Sequence, residues 1–361
     1  MRGKHILTLG LMISLATLLV LSMGPGRGEA GQVGSTYKVL APISRGNLTI
    51  FPVVADRTHD TRNFLTLDEG VRSGEVVVSE AGSVRPLIRR HQDYIPHDGA
   101  EVNRLVLVNN SDRPLILLAG EIVTGGKQDR VVGKDRIVPS KSDPIDLAVF
   151  CVEPGRWVAT QYDFGSFHSQ MAQPSVRRSA MADQDQTKVW AEVGHAKESM
   201  AMRAAPAAAP ALAGTSSYAR VMDNDEVKQR VDAVAVPIEQ SYLGLMRELR
   251  ERNAVGVVVA VNGRMIWADL FASTALLEKY WPKLIRSYAA EALTDGRNSA
   301  RPDRKDAQAF LDDFGARHET EETEPGVFRR TELTGSDFTA FALTSLLPGT
   351  GFEVHIAKMV D

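Results

Sequence analysis

One cysteine, Cys151, stands in a chain of 361 residues, so no intramolecular disulfide can staple this fold. It also rules out any zinc framework built on paired cysteines. Charge of one sign is lacking too. The formal net charge is -3 and the pI about 6.3, which gives no basic footprint for a nucleic-acid partner. Past residue 23 no apolar run reaches membrane-spanning length, so no span is expected once the N-terminal segment is removed. Several motifs are missing as well: a Walker phosphate loop, a dinucleotide fingerprint and HExxH. Phe164-Gly165-Ser166-Phe167-His168 lacks the second glycine of a nucleophile elbow. No cofactor and no metal site is expected. His91-Gln92-Asp93-Tyr94-Ile95-Pro96-His97-Asp98 matches no common zinc spacing, and Asp183-Gln184-Asp185-Gln186 lacks the glycine and terminal glutamate of an EF-hand loop.

What is present begins with an address. Arg2 and Lys4 precede an uncharged apolar run over residues 6–23, and Gly28-Glu29-Ala30 presents small residues where signal peptidase reads. Residues 1–30 are therefore expected to be a signal peptide, and the protein periplasmic or secreted. An uncleaved N-terminal anchor is the alternative, because the apolar run is long for a signal.

The roughly 330 residues that follow have an ordinary globular composition. Residues 37–165 read as a strand-rich region: β-branched runs such as Leu48-Thr49-Ile50-Phe51, Leu105-Val106-Leu107-Val108 and Ala148-Val149-Phe150-Cys151-Val152 are punctuated by Asn, Asp, Gly, Pro and Ser. That texture predicts a sandwich or barrel-like half. Residues 166–361 read as an α+β region packed on it. The expected elements are a helix within 179–197 with Val189, Trp190 and Val193 on one side, and a flexible Ala/Pro loop over 201–217. Helix over 223–253 is then expected, divided at Val236-Pro237, followed by a β-hairpin about Asn262-Gly263. A further helix carries Leu277, Trp281, Leu284 and Tyr288 as a buried stripe, with Pro282 predicting a kink, and the chain closes in strand-like runs. The fold class is α+β.

Chemistry concentrates between Leu118 and Trp157. Glycines 125 and 126 beside Lys127, Gln128, Asp129 and Arg130 suit either an anion-holding nest or a hairpin turn with charges pairing across strands. Cys151 closes an apolar run and reads as a buried structural thiol. Strand alternation places Cys151 and Glu153 on one face with Val149, and a carboxylate there needs a partner, which predicts an ion-pair network. The candidate ligand-binding set is Glu121, Lys127, Gln128, Asp129, Arg130, Glu153, Arg156 and Trp157, with Trp157 as a stacking surface. Weaker catalytic candidates are Glu153 or Asp129 as base and Cys151 as nucleophile.

Three segments carry a resemblance: the 120–131 run Gly-Glu through Gly-Gly-Lys-Gln-Asp-Arg-Val, the 151–157 run Cys-Val-Glu-Pro-Gly-Arg-Trp, and Ala254-Val255-Gly256 with Phe271-Ala272-Ser273. Together with Trp281-Pro282-Lys283-Leu284 they resemble the bacterial ARG and rhodanese-phosphatase-superfamily-associated protein domain family. The resemblance implies one family domain from about Tyr37 to near the C-terminus, with 201–214 as an insertion. The family's name implies a link to signalling or stress-response modules, and the resemblance supplies no reaction. The expected role is binding of a small anionic ligand or a protein partner. A hydrolase using the same polar cluster, or a scaffold, are the alternatives.

Overall fold

The computed structural model describes residues 37–81, 103–156, 163–248, 253–296 and 300–361. The signal-like segment, the 91–98 stretch and Trp157 lie outside the described residues.

The chain opens with β1 (Tyr37–Val39), β2 (Ile43–Arg45) and β3 (Leu48–Ala55), then β4 (Leu65–Thr66) and helix α1 (Leu67–Ser73). Thr66 starts α1 with a full capping box: its side chain accepts from Glu69 N–H while Glu69 accepts from Thr66 N–H. Next come β5 (Val76–Glu80), β6 (Arg104–Asn109), β7 (Leu115–Leu117), β8 (Glu121–Gly125), β9 (Arg130–Val132), β10 (Arg136–Val138), β11 (Ile145–Cys151) and β12 (Asp163–Met171). Six of these close a barrel in the order β11-β6-β5-β12-β8-β9, and β10-β7-β4 form a small separate sheet. Alternation sorts the side chains. Val78, Leu107, Val123, Val132, Val149 and Phe164 share one core cluster, while Ile122, Val131, Phe150 and Val152 pack on helices in another. The apolar residues of β8, β9 and the 149–151 end of β11 are thus covered on both faces, whereas Asp146 and Ala148 earlier in β11 are exposed.

After β12 come α2 (Pro174–Arg178), one π-helical turn (Ser179–Asp183), α3 (Gln186–Arg203), α4 (Ala209–Gly214), α5 (Tyr218–Asp223) and α6 (Asp225–Glu248). Asp185 caps α3, accepting from the N–H groups of Thr187 and Lys188, as helix-start acids should. Val189 and Val193 are buried, but Trp190 is 38% exposed, so the indole does not share their face. The Ala/Pro stretch is largely helical, since α3 runs into it and Ala209–Gly214 forms α4 over buried Leu212. Nor does Pro237 divide the next helix: α6 passes through it, because burial of Val231, Ile238, Tyr242 and Met246 along one face outweighs the one lost backbone hydrogen bond.

The rest is β13 (Ala254–Val261), β14 (Arg264–Phe271), α7 (Thr274–Thr294), α8 (Arg304–Asp312), β15 (His318–Glu324), β16 (Phe328–Thr334), β17 (Phe338–Ser345) and β18 (Glu353–Val360). Asn262 and Gly263 both take positive φ (52° and 83°) in the β13–β14 turn, as the hairpin signal requires. β13 also pairs with β3, so β1, β2 and β3 belong to the far sheet, ordered β1-β3-β13-β14-β18-β17-β16-β15 with β2 on β3. Strands 300 residues apart in sequence thereby share one sheet, a long-range pairing that local patterns cannot announce. Ser273 caps α7, and Leu276, Tyr280, Trp281, Leu284 and Tyr288 are fully buried between α6, α3, β12 and β13. A helix apolar on nearly every side is a central one. No helix among the described residues is long and apolar enough to cross a membrane.

Candidate functional site

The predicted cluster divides into three parts. At the first, β8 and β9 form an antiparallel hairpin with Val123 opposite Arg130, and residues 125–129 make its turn. The N–H groups that would form an anion nest are taken by carboxylates of the chain itself. Lys127 N–H donates to Glu80 Oε1 (2.7 Å), Gly125 N–H to Asp129 Oδ1 (3.3 Å) and Asp129 N–H to Glu153 Oε2 (3.1 Å). Gly126 has φ +46°, and a Cβ there would lie 2.2 Å from the Phe164 ring and 2.5 Å from Glu80 Oε1. Glycine is required at that point on both grounds.

Arg156 ties this turn to the end of β11. Its guanidinium meets Glu153 Oε2 at 2.5 Å and Asp129 Oδ1 at 3.4 Å, and donates to the carbonyl of Gly126 at 3.0 Å. Gln128 donates to the Glu153 carbonyl (3.3 Å), and Ser217, which caps α5, donates to Asp129 Oδ2 at 2.7 Å. Burial, and then the neighbouring Glu153 charge, push the Asp129 carboxyl above its usual range against the Ser217 hydrogen bond. Arg156 stays firmly charged, since Glu153 outweighs the opposing effect of burial. Asp129, Glu153, Arg156 and Gln128 do come together, as an ion-pair network with Ser217 as its fourth wall.

Arg130 and Cys151 form the second part. Arg130 is 0% exposed, and burial lowers its pKa despite the neighbouring Glu80 charge. Cys151 accepts from Glu153 N–H at 3.3 Å, and its backbone is clamped in both directions by the Gln186 amide of α3 (2.8 and 2.9 Å). Burial pushes its thiol up, which holds the proton on sulfur.

Glu121 goes elsewhere. Its Oε1 meets Lys283 Nζ at 2.5 Å, its Oε2 accepts from Leu118 N–H at 2.7 Å, and Lys283 also meets Asp68 Oδ2 at 2.7 Å. Burial opposes the Lys283 ammonium, but Glu121 and Asp68 outweigh it and raise its pKa, while burial raises Glu121. A neighbouring network was not legible as a site at all. Asp269 of β14 receives both Arg177 Nη atoms (2.9 and 3.1 Å), the Tyr288 hydroxyl and His355 Nε2 (3.0 Å). His355 Nδ1 meets Asp135 Oδ2 at 2.6 Å, and Asp135 Oδ1 accepts from Ala119 N–H. Arg177 also stacks on Trp267, 4.4 Å from the ring centroid, and reaches there across Gly120, whose φ of +96° and missing side chain leave the passage open. The available signal was a lone charge inside an apolar strand, as in Val354-His355-Ile356 and Ala268-Asp269-Leu270. Among the described residues no group of three or more His, Cys, Asp or Glu is arranged to hold a metal ion.

A closed six-stranded barrel, a nine-stranded antiparallel sheet and a buried central helix, bolted together by enclosed ion pairs, define an α+β protein of single architecture. The chain belongs to the ARG and Rhodanese-Phosphatase-superfamily-associated Protein domain family, whose model matches residues 36–358. No curated protein and no solved structure matches it.

Proposed function

We propose that this protein works outside the cytoplasm by binding a small anion, and that the binding face of the charged cluster is the groove beside Glu153 and Arg156. A groove of about 590 Å³ lies there, walled on one side by Glu153, Gly155 and Arg156 and on the other by the α4–α5 turn and Arg220. One observation carries the reading: Arg220 is exposed and has no ion-pair partner among the described residues, while Glu153 across the groove is neutralised by Arg156. Among the described residues the groove therefore offers one guanidinium outside any ion pair, suited to a carboxylate or phosphate. The hydrolase alternative is weakened by Cys151, whose buried, proton-retaining thiol suits no nucleophile. Export is supported by the basic start, the apolar run and the Gly28-Glu29-Ala30 cut site.

Calorimetric titration of the full chain with inorganic pyrophosphate, and separately with succinate, tests the binding. Saturable binding to at least one is expected, weakened tenfold or more in Arg220→Glu with the melting temperature unchanged. If neither anion binds, or Arg220→Glu binds as well as the parent, the groove is no anion site and the charged cluster only holds the turn. Fractionation of cells expressing the full sequence tests the address: a mature N-terminus at Gly31 outside the inner membrane is expected, and retention in the cytoplasm would refute it.

A further inference from the structure

Lys283, from the Trp281-Pro282-Lys283-Leu284 run, enters the interior on α7 and leads to a second, unrelated cavity. A space of about 180 Å³ opens between β12, α5, α6 and α7. Met171, Met222 and Val231 supply apolar wall, and three cations, Lys228, Lys283 and Arg286, line it against one carboxylate, Asp232. The carboxylates that balance Lys283, Asp68 and Glu121, stand outside the lining, as do Asp223, the partner of Lys228, and Glu239, which shares Arg286 with lining Asp232. We propose that this cavity binds a small carboxylic acid in its ionised form, apolar body against the methionines and carboxylate among the cations.

Size, lining and charge agree on that class. A cavity of roughly 150 Å³ accommodates benzene, so this one takes a six-carbon body with its head at the rim. Pockets for small molecules are mostly apolar with a few convergent polar groups, which describes this wall. The donors are graded by depth. Lys283 is 2% exposed and gives two of its three N–H groups to Asp68 and Glu121, so it is a fixed charge at the floor. Lys228 is 43% exposed and its pair with Asp223 contributes little, so it can turn to an incoming anion at small expense, while Arg286 stays at the rim, held by Asp232 and Glu239. A neutral ligand of the same shape would gain the apolar contact without the charge.

Benzoate, hexanoate and benzamide, titrated into the full chain and followed by melting temperature and calorimetry, give the test. At least one of the two carboxylates should bind saturably, with benzamide tenfold or more weaker than benzoate. Lys228→Glu, a change on an exposed side chain, should weaken carboxylate binding at least tenfold. Ala290→Leu, which places three extra carbons from α7 into the cavity, should abolish it while the unliganded melting temperature holds or rises. Arg220→Glu should leave it untouched, which separates this cavity from the groove beside Arg156. The proposal is overturned if neither carboxylate binds, if benzamide binds as tightly as benzoate, or if Lys228→Glu binds like the parent.

Discussion

Protonation of His355 makes stability depend on pH near neutrality. The imidazole is fully buried between Asp135 and Asp269. Burial opposes its charged form, but the two carboxylates outweigh burial and raise its pKa from 6.5 to about 9. The native state therefore binds more protons than the unfolded one, so stability falls as pH rises. The full contribution, about 3 kcal/mol, is present below pH ~6, and linkage leaves about half of it at pH 8. Two other groups bound the window. His59, whose pKa burial lowers, acts below its ordinary 6.5. Lys358, pulled by burial from 10.5 to about 8, acts from about pH 7 upward with the opposite sign, because its charge is held less readily in the folded state, and it returns about 0.4 kcal/mol by pH 8. Urea unfolding between pH 6.5 and 8 should thus lose roughly 1 kcal/mol in the parent protein, the His355 loss less the Lys358 gain. In His355→Gln, which is neutral throughout, the protein should be less stable at pH 6.5 and its stability should no longer fall across the window, rising slightly through Lys358. A flat parent profile, or an undiminished slope in His355→Gln, would refute a buried imidazolium.

Other residues give sharper yes-or-no outcomes. Lys283→Met leaves Asp68 and Glu121 buried without their cation and should cost about 3–5 kcal/mol in urea unfolding; a loss under 1 kcal/mol would mean the triad is not enclosed. Arg130→Glu puts a carboxylate at a site with no exposure and should prevent folding, seen as loss of near-ultraviolet circular dichroism, whereas half-buried Lys127→Glu should fold. Cys151 should react with a thiol reagent only as fast as the protein unfolds, so alkylation that is rapid in native buffer would contradict its burial. Gly126→Ala should destabilise by about 2 kcal/mol or more, since positive φ and contacts with Phe164 and Glu80 both oppose a Cβ; an unchanged melting curve would argue against the turn as drawn.

Local signals in the sequence proved reliable where the determining forces are local. Asn262-Gly263 specifies its hairpin because Asn and Gly enter consecutive positive φ cheaply. The α+β class and the barrel-like half follow from short β-branched runs between turns. Pro237 shows where such reasoning fails: a residue that breaks an isolated helix is carried by one whose apolar face is buried along its length. The site was legible in the same graded way. Asp129, Glu153 and Arg156 could be grouped because the turn and the strand that present them lie within 30 residues of each other and are paired through β9 and β11. Glu121 was drawn into that group by proximity in sequence, yet its partner is Lys283, 162 residues away. No local pattern could choose between Arg130 and Lys283 as its cation, since both stand beside apolar neighbours. What decides is long-range packing: α7 lies against β12 and β13, which brings Lys283 to Glu121 at the start of β8. The general lesson lies in the lone charges of apolar segments, Asp269, Lys283 and His355. Each would be intolerable by itself, so each announces an unseen partner, and the search for that partner leads to the enclosed centre of the molecule instead of its turns.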